Sequence, residues 1–282
     1  MHSKVATAFS PGPPESTVTP WQLQLFSKSL KKKQKLALLL DQIGDTSGKR
    51  CLLITNGDNN GALNYHFRAN GGDWTWVENE EDHVQEMSEL LREPVLLGSA
   101  THIPVDDAAF DVVVTIDVHE HLNDPMAFNR ELKRAVKRGG MVVVSTPNGD
   151  PWKPAIILKN AIGMTKEKYG HVVVGYNVKQ HKKMLSGVGL VPTGSGSYAK
   201  FFSEFLELII NFAYVMILSK KSEAKVKQGT IAPSSAAQLK SVQKQYQMYS
   251  MIYPVLWIVS KLDLLLLPFT GYAVSVVARR PA

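Results

Sequence analysis

Five short apolar runs, set among stretches of helical periodicity, occupy residues 49–148, and that alternation leaves few folds open. The runs are "RCLLIT", "DWTWVE", "PVLLGSA", "FDVVVTID" and "MVVVSTPN". Each is too short for a helix and rich in β-branched or aromatic residues, so each reads as a strand. "FDVVVTID" is apolar on both alternating faces, as a strand covered on both sides must be. Between them, "GALNYHFRANGG" and "NEEDHVQEMSELL" have helical spacing, and "NDPMAFNRELKRAVKRGG" has Pro125 at its start and glycines past its end. Strand–helix alternation predicts a mostly parallel sheet with helices on both faces. Ligands in such sheets bind beyond the carboxyl ends of the strands.

Those ends are therefore the residues to inspect. The first strand runs into "NGDNNG", where Gly57 and Gly61 permit close backbone approach and positive φ. The second ends at Glu78, a carboxylate able to accept both hydroxyls of a ribose. The third leads to "GSATHIP", the fourth to "DVHEH" and the fifth to "STPN".

Taken in order, "NGDNNG", "WVE", "GSATHIPVDDAAFDVVVTIDVHEHLNDP" and "KRGGMVVVSTPN" resemble a class I S-adenosylmethionine-dependent methyltransferase of the broad group often called methyltransferase type 11. The likeness covers about Lys49 to Leu190 and the final strand. It implies a Rossmann-like, mostly parallel seven-stranded sheet, S-adenosylmethionine as cofactor and methyl transfer as activity. It also implies a cofactor site built from Gly57, Asp58, Gly61, Glu78, Ser99 and Asp117. Two departures stand out. The first strand ends in Thr55 rather than an acid, with Asp58 nearby as a substitute. Ser99 stands where the family's aspartate meets the adenine. The family's active-site segment falls on Asp117, Glu120 and His121, with Glu120 and His121 as candidates for substrate contact or proton transfer. In a related group of quinone-precursor O-methyltransferases, an acid-x-x-Glu-His spacing can hold a divalent ion, but no metal is assigned here. Further on, "KEKYGHVVVGYNVKQHKKML" offers His171 as a base or hydrogen-bonding group and Tyr176 as a cavity wall.

The family's sheet ends in an antiparallel hairpin, for which "GLVPTGSGSYA" and "GYAVSVVARRP" are suited. Between them lies an insertion, residues 201–268, with two apolar runs, "FFSEFLELIINFAYVMIL" and "MIYPVLWIVSKLDLLLLPF", flanking a basic segment. Glu204 and Glu207 interrupt the first run; Pro254, Lys261 and Asp263 interrupt the second. A clean span needs about 20 uninterrupted apolar residues. A pair of helices lying shallowly in one leaflet fits better, with a hairpin or a protein interface as the other readings.

The remaining features set the boundaries. Residues 1–18 read as a flexible tail without an apolar signal core. Residues 19–48 form a basic helical segment, expected to start with Thr19 as N-cap, Pro20 at the first helical position and Gln22 completing a capping box. Its lysines, Lys31 to Lys33 and Lys35, suit a solvated face or anionic headgroups. Residues 49–200 are the core and 269–282 the last strand. A net charge of +7 suits nucleic acid, an anionic surface or phosphorylated substrates, but no nucleic-acid reader motif accompanies it. The single cysteine, Cys51, excludes an internal disulfide. The expectation is methyl transfer to a lipid or lipid-linked acceptor on the cytoplasmic side of a membrane, peripheral or shallowly inserted through 201–268. The alternative is a degenerate fold acting as a membrane-bound scaffold, or a homodimer or complex formed through the insertion.

Overall fold

In the computed structural model of the chain, residues 19–57, 60–221, 233 and 235–282 are described, with backbone alone at 218–221. The tail 1–18, the candidate cofactor residue Asp58 and most of the basic segment within the insertion lie outside the described residues.

The five predicted strands form as β1 (Arg50–Thr55), β2 (Asp73–Glu78), β3 (Val95–Leu97), β4 (Phe110–Ile116) and β5 (Val136–Pro147), joined by β6 (Val191–Tyr198) and β7 (Ala273–Arg279). They make one seven-stranded sheet in the order β3-β2-β1-β4-β5-β7-β6. All neighbours among β1 to β5 are parallel, and β7 runs antiparallel between β5 and β6. The register decides where the chemistry lies. Thr55 pairs with Glu78 on one side and Ile116 on the other, and Ile116 pairs with Ser145. Strands in that register end level, so Asn56, Glu78, Asp117 and Thr146 share one edge of the sheet.

Alternation along β1 divides the core in two. Leu52 and Ile54 face α5 (Pro125–Ala135) and α7 (Val178–Gly187), meeting Phe128, Leu132 and Leu185. Cys51 and Leu53 face α3 (Ala62–Arg68) and α4 (Glu81–Leu91), meeting Phe67, Met87 and Leu91. Trp74 and Trp76, two apart on β2, share that second face with stacked rings 5.3 Å apart. Burial pushes the Cys51 thiol up to about 11, so it is an inert core group rather than a nucleophile. The helix before β5 ends at Ala135, and the chain is already paired as a strand when it reaches Gly139 and Gly140.

The N-terminal segment departs from expectation. It forms two helices, α1 (Trp21–Ser27) and α2 (Leu30–Ile43), broken so that the Ser29 hydroxyl can cap α2 by accepting from Lys32 N. The expected capping box at Thr19 and Gln22 does not form: α1 starts one residue later, and the Thr19 carbonyl accepts from the Gln24 side chain. A capping box does close α7, between Asn177 and Gln180. The lysine face is also not solvated as a whole. Lys35 is 6% exposed, and Lys31 turns inward beside it.

That inward turn is possible because the insertion covers α1 and α2. It contains α8 (Phe201–Lys221), α9 (Ala236–Ser241) and α10 (Gln243–Ser260), the last continued by a 3₁₀ turn over Lys261–Leu266. Tyr246, Tyr249 and Tyr253 form one stripe of α10. Tyr246 donates to the Gln24 carbonyl at 2.8 Å, Tyr249 donates to the Lys28 carbonyl, and Lys33 donates to the Tyr253 hydroxyl at 3.2 Å. Two of the charges that interrupt the apolar runs, Asp263 and Glu204, point inward. Asp263 accepts from the backbone of Lys200, Phe202 and Ser203, capping α8, while Glu204 is buried against lysines. The outward face is left apolar: Met251, Val255, Ile258, Leu264, Leu265 and Leu267 are 60% to 75% exposed. Among the described residues, Gln243–Leu266 is long and apolar enough to cross a membrane.

Candidate active site

The loop after β1 is held from beneath by Glu78. Its Oε2 accepts from the Thr55 hydroxyl at 2.7 Å, and its Oε1 accepts from Gly57 N at 2.8 Å and Glu80 N at 2.9 Å. Glu78 is fully buried, and burial raises its pKa against the lowering effect of these donors. Thr55, which stands where an acid is usual, thus serves the β2 carboxylate directly. Gly57 (φ +66°) and Gly61 (φ +83°) both occupy the left-handed region, and Gly61 precedes the first turn of α3. The side chain of Glu80, bonded to the Asn56 amide at 3.1 Å, lies over Gly57. Glu80, which sequence reasoning passed over, is therefore the carboxylate exposed at the loop. Ser99 lies farther along the edge, exposed, with its hydroxyl donating to the His102 carbonyl at 3.4 Å.

Asp117 follows β4 with φ +53°. Its carboxylate pairs with Lys35. Burial works against the Asp117 charge, but the Lys35 ammonium outweighs it and holds the carboxyl below its usual range. The next residues form a 3₁₀ turn, His119–His121. His119 is buried, bonded to Asn129 at 2.9 Å and pushed down by burial to about 4, which marks it as a neutral core group. His121 Nδ1 donates to the Gly170 carbonyl at 3.0 Å, and its buried Nε2 has no hydrogen-bond partner among the described residues. The His171 ring is 4.8 Å from that of His121, and burial followed by His121 lowers its pKa to about 3. Glu120, His121 and His171 bring one donor atom each within 4.8 Å of one another, close enough to share a substrate group or a divalent ion. Tyr176 packs instead on His181, with ring centroids 5.4 Å apart, whereas Tyr169, close to His171, lines both cavities described below.

Two cavities open over this edge. The smaller, about 170 Å³, is walled by Asp117, Glu120, His171, Lys35, Tyr198 and Glu204 among others. The larger, about 910 Å³, reaches from Asn56, Gly57, Asn60 and Glu80 to the helices of the insertion. Lys31 and Lys159 converge on Glu204 in the wall of the smaller one. Neither lysine was legible as a site residue, since each faces inward only because α8 brings Glu204 to it.

Residues 56–144 match the family described as "Methyltransferase domain". That span holds the loop, the β2 and β4 ends and the 3₁₀ turn. The chain carries a class I S-adenosylmethionine-dependent methyltransferase domain. Relatives agree over part of that domain. A probable S-adenosylmethionine-dependent methyltransferase of Mycobacterium tuberculosis is 40% identical over 72 residues, 26% of either chain. One from Mycolicibacterium smegmatis is 42% identical over 57 residues, 20% of this chain and 22% of its own. The aligned part thus spans about a quarter of these relatives. In fold, a putative methyltransferase from Bacillus halodurans matches 88% of this chain and 99% of its own, with TM-score 0.54 and 17% identity. Haemonchus contortus phosphoethanolamine N-methyltransferase 2, solved with S-adenosyl-L-methionine, matches 89% and 54% with TM-score 0.53 and 15% identity. The likeness to these solved structures is one of fold.

Proposed function

We propose that this protein transfers a methyl group from S-adenosylmethionine to a lipid or lipid-linked acceptor at a membrane surface. The observation that carries the reading is spatial: the insertion's exposed apolar face and the methyltransferase edge are two sides of one structure, joined through α1 and α2. Gly57 and Gly61 would let the backbone approach the cofactor closely, with Glu78 and Glu80 beside its ribose and Asp117 near its amino-acid end. S-adenosylmethionine, when bound, supplies an electrophilic methyl on a sulfonium. The chain's own residues must orient the acceptor and manage its proton. Glu120, His121 and His171 stand close enough to hydrogen-bond an acceptor hydroxyl or amine together, with His171 kept neutral by burial. Supporting the membrane part, α10 and the turn after it expose Met251, Val255, Ile258, Leu264, Leu265 and Leu267 side by side, while Asp263 and Glu204 are turned inward.

The test is calorimetric titration of S-adenosylmethionine together with flotation on vesicles. Binding of the cofactor, and flotation with anionic vesicles that weakens with salt, are expected. Flotation without cofactor binding would favour the scaffold reading. Cofactor binding with no flotation, and a stable dimer that Leu265→Asp dissociates, would assign the apolar face to a protein interface.

A further inference from the structure

The larger cavity has two unlike ends. Asn56, Gly57, Asn60 and Glu80 make one end polar, over the termini of β1 and β2. Leu25, Ile210, Ala213, Ile217, Leu239 and Ile252 make the other apolar, between α1, α8, α9 and α10. A nucleoside or amino-acid group gains nothing at the apolar end, because its polar atoms would be desolvated without partners. The full volume, about 910 Å³, is near the upper limit of small-molecule pockets, roughly 300–1,000 Å³. There is room for a second ligand beside whatever the polar end holds.

Two further features say what that ligand is. The apolar end reaches the outer surface at Met248 and Ile252, which line the cavity and are 64% and 53% exposed. Both lie on α10 beside Met251 and Val255, so the opening continues the exposed apolar face. At the opposite limit, Lys32, Tyr169, Glu207 and Asn211 line both cavities and form the partition between them. Beyond that partition stand Asp117, Glu120 and His171. A ligand seated here has an apolar part towards the surface and a polar part towards the candidate active site.

We propose that the apolar end of this cavity binds one hydrocarbon chain of an amphiphilic acceptor, admitted beside α10, with the acceptor's polar end directed past Tyr169, Glu207 and Asn211. The chain site stands on the cavity; only the fate of the polar end rests on the methyl-transfer reading above. The surface of α10 gathers apolar chains non-specifically, whereas the cavity selects a single one. This predicts saturable binding that a bilayer-facing surface alone does not give.

The experiment uses the full-length protein and 11-(dansylamino)undecanoic acid below its micellar concentration. One saturable site is expected. Ala213→Trp and, separately, Ile210→Trp fill the apolar end and should each weaken binding at least tenfold, leaving vesicle flotation and S-adenosylmethionine affinity unchanged. Should these variants fail to fold, a diazirine-bearing twelve-carbon fatty acid on the wild-type protein gives the same answer. Crosslinks on Ile210, Ala213 or Leu239 support the site, whether the label is delivered free in solution (a soluble amphiphile) or diluted into phosphatidylcholine vesicles (a chain drawn from the bilayer). Non-saturable binding, undiminished binding in both folded variants, or crosslinks confined to Met251 and Val255 overturns it. Loss of the methyl-transfer reading would show differently, as absent cofactor binding with the dansyl titration intact.

Discussion

Lys31 Nζ lies 2.9 Å from Glu204 Oε2, and the Glu204 side chain is 2% exposed. Lys159 pairs with the other oxygen, so α2, α8 and α6 (Pro154–Ala161) meet at one carboxylate. Burial opposes the Glu204 charge, but Lys159 and Lys31 outweigh it and hold the carboxyl down to about 2. Removing the charge leaves two cations facing a neutral amide. Glu204→Gln should cost about 3–5 kcal/mol in urea unfolding, and Lys31→Met with Lys159→Met and Glu204→Leu should recover most of it. The sign follows from the depressed pKa. The stabilisation is complete above the ordinary value of 4.5 and is lost as pH falls towards 2, so the gap between wild type and Glu204→Gln should close on acidification.

The Lys35–Asp117 pair makes a prediction of opposite signs for its two members. S-adenosylmethionine carries positive charge at its sulfonium and amino group, and Lys35 is a cation already seated on Asp117, the carboxylate proposed to face that end. Lys35→Gln should tighten the cofactor and Asp117→Asn should weaken it, each by about tenfold, roughly the 1.5 kcal/mol of a charge-assisted hydrogen bond. Calorimetry decides. A weaker cofactor in Lys35→Gln would mean that the lysine holds the cofactor's carboxylate itself.

Glu78 and Glu80 separate a foundation from a contact. Glu78 holds three donors of the loop, so Glu78→Ala should lower both the melting temperature and cofactor affinity, the latter by about 2 kcal/mol. Glu80→Gln should lower affinity alone, since its side chain lies on top of the loop. Equal losses of melting temperature would show that both carboxylates are structural.

His171 should stay neutral across the physiological range. With a folded pKa near 3, its ring signals in NMR should not titrate between pH 8 and 5. The unfolded ring takes up a proton below about 6.5, so this residue lowers stability as pH falls from there towards 3, and His171→Gln should flatten that slope. Alanine at Glu120, His121 or His171 should reduce kcat more than cofactor affinity. Full turnover in all three would leave catalysis to positioning alone.

The sheet was legible because each strand's apolar run is short and bounded, and level strand ends follow from parallel pairing. The residues at those ends were therefore legible too, including Gly57, Glu78, Asp117 and Glu120. What their side chains do was less so. Glu78 reads as open to a ribose, yet Thr55 and two backbone amides occupy it, a relationship set by the register of β1 against β2. The lysines of α2 were read as facing water or headgroups because periodicity shows which residues share a face, but not what covers it. Their partners, Asp117 and Glu204, lie 82 and 173 positions away. Asp263 likewise looked like a break in an apolar run and is the cap of α8, because hydrophobicity counts a charge without regard to its direction.

The insertion leaves the sheet after Tyr198 and returns at Ala273, and those two residues are paired neighbours in the β6–β7 ladder. Departure and return through one doorstep impose a parity: any path from there through a bilayer and back makes an even number of full crossings. Among the described residues a single helix, Gln243–Leu266, has the length and composition for one. A bilayer that receives this helix in the proposed arrangement receives it lengthwise, like a keel laid along the surface, and the methyl-transfer edge stays at a constant height above the lipid from which its acceptor would come.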